Sequence, residues 1–287
     1  MTPTPLRRVL ITGAGGMLGR DLAQAARRSG LEVDAFDRAA LDITDADACR
    51  AAVEGVDAVL NAAAWTNVDE AESREQEALA INARGAENLA RAARDHGAIM
   101  VQYSTDYVFS GESTQPWAED APLSPLNAYG RTKAEGERAA RAVHPEGTIV
   151  IRTAWLYGEH GANFVRTMER LYRERGTLTA VDDQQGQPTW THDLAEKTMH
   201  VLASGTRRGV LHGTNSGSTT WLGFARAIVE NLGGDPDDVH PTSSDAFPRA
   251  ARRPTNSVLD HAGWAAVGLD PMRPWRTALD EFMALPH

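Results

Sequence analysis

Arg8-Val9-Leu10-Ile11-Thr12-Gly13-Ala14-Gly15-Gly16-Met17-Leu18-Gly19 decides the fold. Its apolar run reads as a buried strand, the glycine-rich turn follows at once, and Met17 to Ser29 carries a helical pattern closed by Gly30. Gly13, Gly16 and Gly19 stand at a G-x-x-G-x-x-G spacing. Bare glycine backbone lets a pyrophosphate approach, and a helix N-terminus offers unpaired N–H groups with a partial positive charge. Gly13, Gly15, Gly16, Met17 and Leu18 are therefore candidate contacts for a dinucleotide. A phosphate-binding loop of the triphosphatase type would close on Gly-Lys-Ser/Thr. Gly19-Arg20-Asp21 stands there instead.

The alternation continues outward from this turn. Leu31 to Phe36, Ala58 to Asn61, Ile99 to Ser104 and Thr148 to Arg152 read as strands. Between them, Asp45 to Val53, Glu75 to His96 and Ala128 to Val143 read as helices. Unbroken apolar strands alternating with helices indicate a parallel sheet covered on both faces, and right-handed crossovers make it doubly wound. Further helices are expected over Asn163–Arg175, Asp193–Ser204, Thr220–Leu232 and Trp275–Met283. The expected class is α/β, a Rossmann-like doubly wound parallel sheet with a smaller, mainly C-terminal substrate-binding lobe. Residues 1–154, joined by about 191–215, form the expected NAD(P)-binding domain, and 155–190 with 216–287 the lobe.

Composition removes several functions. At roughly 150 residues per domain, 287 residues make two domains or one large α/β unit. Acidic residues number 39 against 29 basic, for a net charge of −10, so a nucleic-acid backbone would be repelled. No apolar run reaches the ~18 residues of a membrane span. Met1 to Arg8 lacks the apolar core of a signal peptide, and Cys49 is the single cysteine. Cys49 reads as a small hydrophobe on a helix, and a reducing, cytoplasmic setting is expected.

Chemistry concentrates at four places. Asp37 ends the second strand about twenty residues past the glycines, where a carboxylate accepts a bond from an adenosine ribose. Arg38 beside it suits a 2′-phosphate, so the pair leaves NADH and NADPH both open. Asp42 and Ile43 stand where such sheets meet the adenine ring. Tyr129 and Lys133 share a helix face at i and i+4. An ammonium near a phenol of ordinary pKa about 10 favours the phenolate and brings it toward the working range. Thr105, at the end of a strand, adds a hydroxyl donor for a substrate oxygen.

These motifs, together with Asn61-Ala62-Ala63-Ala64-Trp65-Thr66-Asn67-Val68-Asp69-Glu70-Ala71-Glu72, Tyr103-Ser104-Thr105-Asp106-Tyr107-Val108-Phe109 and Pro125-Leu126-Asn127-Ala128-Tyr129-Gly130, carry a family resemblance. So do Arg152-Thr153-Ala154-Trp155-Leu156-Tyr157, Asn163-Phe164, Asp183-Gln184-Gln185-Gly186-Gln187-Pro188-Thr189 and Arg253-Pro254-Thr255-Asn256-Ser257. Over nearly its whole length the chain resembles the extended short-chain dehydrogenase/reductase family, and within it the dTDP-4-dehydrorhamnose reductases. The resemblance implies reduction of a nucleotide-activated 4-keto sugar to dTDP-L-rhamnose with NADPH, or NADH as the alternative. It implies a catalytic trio of Thr105, Tyr129 and Lys133. It implies cofactor contacts at Gly13, Gly16, the Asp37 region, Ala62, Ala63, Ala64, Tyr103, Tyr129 and Lys133. For the sugar nucleotide it implies Val68, Asp69, Thr105, Asp106, Trp155, Asn163, Gln184 and Arg253. Trp65 departs from the smaller ring often found there in relatives. Some relatives hold magnesium between subunits through carboxylates; those ligands find no match here, so no metal is expected. A dTDP-sugar is the expected partner, with no nucleic acid, no membrane, and a homodimer as the candidate assembly.

Other readings share these motifs. A reductase of a related dTDP-4-keto-6-deoxy sugar would carry the same trio, because C4-keto isomers differ by pocket shape and a hydrogen bond or two. A sugar-nucleotide epimerase would recycle a tightly held NAD and usually has a longer lobe than a chain ending at His287 allows. A regulatory subunit of this fold would bind without catalysis. Trp221 reads as core, Arg252-Arg253 as either a solvated pair or a diphosphate clamp, and His192, His200 and His212 as structural or exposed.

Overall fold

In the computed structural model residues 6–286 are described; residues 1–5, part of the stretch read as leaderless, and His287 lie outside them. Strands β1 (Arg8–Thr12), β2 (Glu32–Phe36), β3 (Ala58–Asn61), β4 (Ile99–Thr105) and β5 (Thr148–Thr153) form where the apolar runs stand. With the later strand Gly209–His212 they make a six-stranded sheet. Its order is Gly209–His212, β5, β4, β3, β1, β2, and every pairing is parallel. The order reverses between β1 and β3, so the crevice beyond their carboxyl ends is the topological switch point where ligands of such sheets bind.

Helices α1 (Met17–Arg28), α2 (Ala46–Val53), α3 (Val68–Ser73), α4 (Glu75–Leu79), α5 (Ala86–His96), α6 (Ala128–Val143), α7 (Phe164–Arg175), α8 (Thr191–Ala203) and α9 (Trp221–Asn231) follow in chain order. Alternation along β1 explains the two layers. Val9 and Ile11 pack with Leu18, Leu22, Leu194 and Met199 of α1 and α8. Leu10 faces the other way, onto Cys49, Val53 and Leu89 of α2 and α5. Burying each such aliphatic side chain contributes roughly 1.5–3 kcal/mol. Cys49 is fully buried in this second layer, where its Sγ donates to Ile43 O and burial raises its thiol to about 12.

The helical run over Glu75–His96 forms and ends at left-handed Gly97, but its α-helical ladder is interrupted. A π-helical turn, Ala80–Gly85, separates α4 from α5. The wide turn brings Asn82 to α6: its amide accepts from Trp65 N, donates to Trp65 O and donates to Thr132 Oγ1. Asn82 O lies so near Gly136 that a Cβ there would sit 2.1 Å away. The short α3, unforeseen in the sequence, starts where Asn67 accepts from Glu70 N.

The later half packs around Tyr157, Trp190, Phe224, Ile228, Leu279 and Phe282. Its pieces are not contiguous in sequence. Helix α8 packs on α1 and Gly209–His212 joins the sheet, while Trp264 and Met272, within the stretch assigned to the lobe, pack in the sheet's core beside α8 and Gly209–His212.

Candidate active site

Two glycines shape the floor. Gly13 has φ +67° and a Cβ there would lie 2.7 Å from the backbone of Ala62; a Cβ on Gly19 would lie 2.2 Å from Gly13 O. Neither position tolerates a side chain, so the turn lies flat against β3 and α1. Gly16 caps α1 without a side-chain acceptor, and no acidic residue stands in the first turn. The helix end keeps its partial positive charge for a ligand.

Above this floor lies a cleft of about 970 Å³. Gly13, Gly15, Gly16, Met17 and Leu18 line it from the loop, and Asp37, Arg38, Asp42 and Ile43 from beyond β2. Ala62, Ala63 and Ala64 follow β3, with Val68 at the start of α3. Tyr103, Thr105 and Asp106 come from β4 and the turn after it, Tyr129 and Lys133 from α6, and Trp155 from beyond β5. Residues far apart in sequence thus share one wall.

The trio is assembled by the start of α6. Asn127 caps that helix through Gly130 N, and Glu72 accepts from Ala128 N at 2.7 Å. A Cβ on Gly130 would lie 2.2 Å from Tyr107 O, so the helix start abuts the turn that follows Thr105. Thr105 lies beside Tyr129 there, near enough to pull its phenol down against burial. Lys133, buried, donates from Nζ to Tyr103 O at 2.6 Å. Burial lowers its ammonium to about 8, against the pull of Glu137 one turn on.

The phenol departs from the expectation. Burial pushes Tyr129 up to about 12, Thr105 offsets part of this, and the Asp106 charge adds to it. Lys133 points its ammonium at a main-chain carbonyl, so in this state desolvation outweighs it. Tyr129 is accordingly a fully protonated acid at neutral pH.

A buried polar ladder supports the lysine. Thr12, Asn61 and Gln102 are in register across β1, β3 and β4. Thr12 Oγ1 donates to Asn61 Oδ1 at 2.6 Å, Asn61 Nδ2 to Gln102 Oε1 at 2.7 Å, and Gln102 Nε2 to Tyr103 O at 3.0 Å. The hydroxyl at one end fixes which way both amides face, and the last donor meets the carbonyl that holds Lys133. No signal in the sequence marked Asn61 and Gln102 beyond their polarity, one at the end of an apolar strand and the other inside one.

The opposite wall is aromatic. Trp155 has φ +46°, the single positive φ outside glycine among the described residues. It stacks on Trp221 with centroids 3.6 Å apart and planes 9° from parallel. Gly186 makes room, because a Cβ there would lie 2.5 Å from the Trp155 ring. Trp221, read as core, also lines the cleft. Helical spacing alone could not separate the two readings, since α9 has both a core face and a cleft edge.

Asp69, Asn163, Gln184 and Arg253 are not among the residues lining this cleft. Arg253 grips Asp69 through both guanidinium ends, at 2.5 and 2.8 Å, and holds its carboxyl down at about 2. Asn163 caps α7 through Arg166 N and donates to Gly158 O. Gln184 donates to Ser244 Oγ and accepts from Trp221 Nε1. His212 is fully buried between Arg152 and Asp260 O. Among the described residues, no group of three or more His, Cys, Asp or Glu is placed to hold a metal, and no helix is long and apolar enough to cross a membrane.

A doubly wound parallel sheet, a glycine floor and a Thr–Tyr–Lys set in one cleft define the extended short-chain dehydrogenase/reductase class. The chain belongs to the family described as RmlD substrate binding domain, which matches residues 7–285. It is 49% identical to a dTDP-4-dehydrorhamnose reductase of Streptomyces griseus, covering 98% of this chain and 94% of that one. It is 47% identical to a dTDP-4-keto-6-deoxy-D-glucose reductase of Streptomyces niveus, covering 97% of each. Among solved structures, a dTDP-4-dehydrorhamnose reductase of Bacillus anthracis in complex with NADP superposes with a TM-score of 0.92 at 36% identity, covering 97% of this chain and 99% of that one.

Proposed function

We propose that this protein reduces the C4 keto group of dTDP-4-dehydro-6-deoxy-L-mannose, dTDP-4-dehydrorhamnose, to give dTDP-L-rhamnose with NADPH. The observation that carries the reading is the meeting of Thr105, Tyr129 and Lys133 with the glycine floor in one cleft, in a chain 49% identical to a reductase of that name.

The residues present fit a dinucleotide. The Cβ-free floor and uncapped α1 suit a diphosphate. Buried Ser104 Oγ and Thr153 Oγ1 lack partners, and both residues line the cleft. Gly13, Gly15, Gly16, Met17 and Leu18 would hold the diphosphate, Asp37 and Arg38 the adenosine ribose, and Asp42 and Ile43 the adenine. Ala62, Ala63, Ala64, Tyr103, Tyr129 and Lys133 would hold the remaining half. Bound NADPH supplies the hydride. Tyr129, kept protonated by burial, gives its proton to the oxygen that becomes the C4 hydroxyl. Lys133 keeps a cation close behind it, fixed by Tyr103 O. Thr105 bears on the same oxygen, and Val68, Asp106 and Trp155 border the sugar. Asn163 and Gln184 act from behind the wall, Gln184 by holding Trp221. Asp69 and Arg253 close the edge as a pair.

The same reading assigns 1–154 with 191–215 to the cofactor half and 155–190 with 216–287 to the sugar nucleotide, Trp264 and Met272 excepted. It includes a homodimer, checked by sedimentation, and a cytoplasmic setting, with which a lone buried thiol accords. The Streptomyces niveus relative favours one second reading, reduction of an isomeric dTDP-4-keto-6-deoxy sugar. The experiment presents freshly made dTDP-4-keto sugars with NADPH, follows loss of reduced nicotinamide and identifies the product. A higher kcat/KM for the rhamnose precursor than for its isomers is expected. Epimerised product without net NADPH loss, or no turnover of any sugar, overturns the reading.

A further inference from the structure

A hydroxyl has one proton to give. Thr105 Oγ1 donates its proton to Asp106 Oδ1 at 2.8 Å and accepts from Tyr107 N at 3.2 Å. In that arrangement only lone-pair density of Thr105 faces the cleft. A developing oxyanion needs a donor, so the hydroxyl as it stands cannot serve the reduced carbonyl. Asp106 itself is 3% exposed, lines the cleft, and has no hydrogen-bond partner on Oδ2. A buried carboxylate oxygen without a partner is costly, and protonation is the direct way to relieve it.

We propose that Asp106 is a positioning residue whose own proton sets the direction of the Thr105 hydroxyl. Ionised, Asp106 takes the Thr105 proton. Protonated on Oδ1, it donates to Thr105 Oγ1, and the Thr105 proton turns toward the oxygen being reduced. No proton is consumed along this pair; the one that enters product comes from Tyr129. The inference rests on the reductase reading above.

The surroundings favour such a change near neutral pH. Burial raises the Asp106 carboxyl to about 6; Thr105, the neighbouring Ser257, whose hydroxyl donates to Gln185 O, and two nearby backbone N–H groups pull it down only in part, and none closes a bond on Oδ2. Tyr129 faces it from α6 and Tyr107 from its own turn, both partly buried and raised by desolvation. Arg253, on the C-terminal segment, reaches Tyr107 and is itself paired with Asp69.

The test compares wild type, Asp106→Asn and Thr105→Val in single-turnover reduction of a dTDP-4-keto sugar between about pH 5 and 8, on either side of the Asp106 titration. An asparagine amide donates to Thr105 at every pH, as the protonated acid would. Wild type is expected to slow about tenfold or more as pH rises through that titration, since one oxyanion donor is worth up to 10²–10³. Asp106→Asn should be flat over the window and several-fold faster than wild type at its upper end. Thr105→Val should be slow and lack the limb. A limb unchanged in Asp106→Asn overturns the proposal, as does an Asp106→Asn protein that binds NADPH normally yet is inactive throughout. If Asp106→Asn does not fold, a limb that persists in Thr105→Val overturns it instead. A wild type that turns over no dTDP-4-keto sugar sinks the reductase reading; a wild type that turns over without the limb sinks this proposal alone.

Discussion

The cofactor wall and the lobe wall of the cleft are built on different terms. On the first, local structure starts the placement: the turn after β1 needs Gly13 and Gly19, and Asn127 caps the helix that carries Tyr129 and Lys133. Behind the second, the polar groups expected to meet the sugar nucleotide are off the cleft surface and engaged within the protein. Asp69 is held by Arg253, Gln184 by Ser244 and Trp221, and Asn163 by its own helix. A ligand meets preformed polar groups on one side and, on the other, an aromatic wall of Trp155 and Trp221 braced from behind by such bonds. Changes on the first wall should therefore strike catalysis, and changes on the second should strike substrate affinity and stability.

Tyr129→Phe is the largest expected break. It removes the acid while leaving the ring packed edge-on to Tyr107, 6.1 Å between centroids. Loss of a positioned proton donor should lower kcat by about 10²–10⁴ with NADPH binding nearly intact. Fluorescence titration of NADPH beside single-turnover rates checks both halves. A rate near wild type would remove Tyr129 from the chemical step.

Gly186→Ala addresses the lobe wall. Its Cβ would enter the Trp155 ring at 2.5 Å, and Trp155 is already clamped against Trp221. Overpacking of about 1–3 kcal/mol should move Trp155 and raise KM for the sugar nucleotide, with the NADPH affinity unchanged. Equal losses for both ligands would mean that the two walls are mechanically one.

The same division governs what could be read in the sequence. Strand, loop and helix around Gly13 follow from contacts within twenty residues, and the Tyr129–Lys133 face from helix periodicity alone. The π turn at Ala80–Gly85 was hidden because its cause, Asn82 reaching Trp65 and Thr132, lies across the fold. The Asp69–Arg253 pair spans 184 positions, so no local pattern announces that the arginine's charge is taken. The raised Tyr129 phenol came from burial, which residue spacing does not report. Trp221 packs on the lobe core and borders the cleft as well, a double role that helical periodicity does not resolve.

That pair yields a smaller, pH-dependent effect. Arg253 depresses the Asp69 carboxyl to about 2, below its ordinary value. The stability it contributes is present above the unfolded carboxylate pKa and is lost as pH falls through that value toward about 2. The pair is partly exposed, so roughly 1 kcal/mol is expected after solvent screening. A double-mutant cycle of Asp69→Ala and Arg253→Ala, read by thermal unfolding at neutral pH and again near pH 2–3 where the coupling should fade, measures it. Undiminished coupling in acid would sink the ionic account.

Arg38→Ala is the smallest effect and the one that separates the cofactors. Asp37 and Arg38 both line the adenosine end of the cleft. Asp37 Oδ1 accepts from Ala39 N and Ala40 N, each at 3.0 Å, which fixes the carboxylate as part of its turn while its charge still opposes a 2′-phosphate. Arg38 is exposed, and a full charge pair at surface-like dielectric amounts to a few kcal/mol at most, reduced further by salt. Removing it should weaken NADPH several-fold and leave NADH nearly unchanged, turning a modest NADPH preference into parity or a slight preference for NADH. Raising the ionic strength should shrink the wild-type preference in the same direction, because only the 2′-phosphate contact is screened. Dissociation constants for both cofactors at two salt concentrations decide it, and equal losses for NADPH and NADH would take Arg38 out of the site.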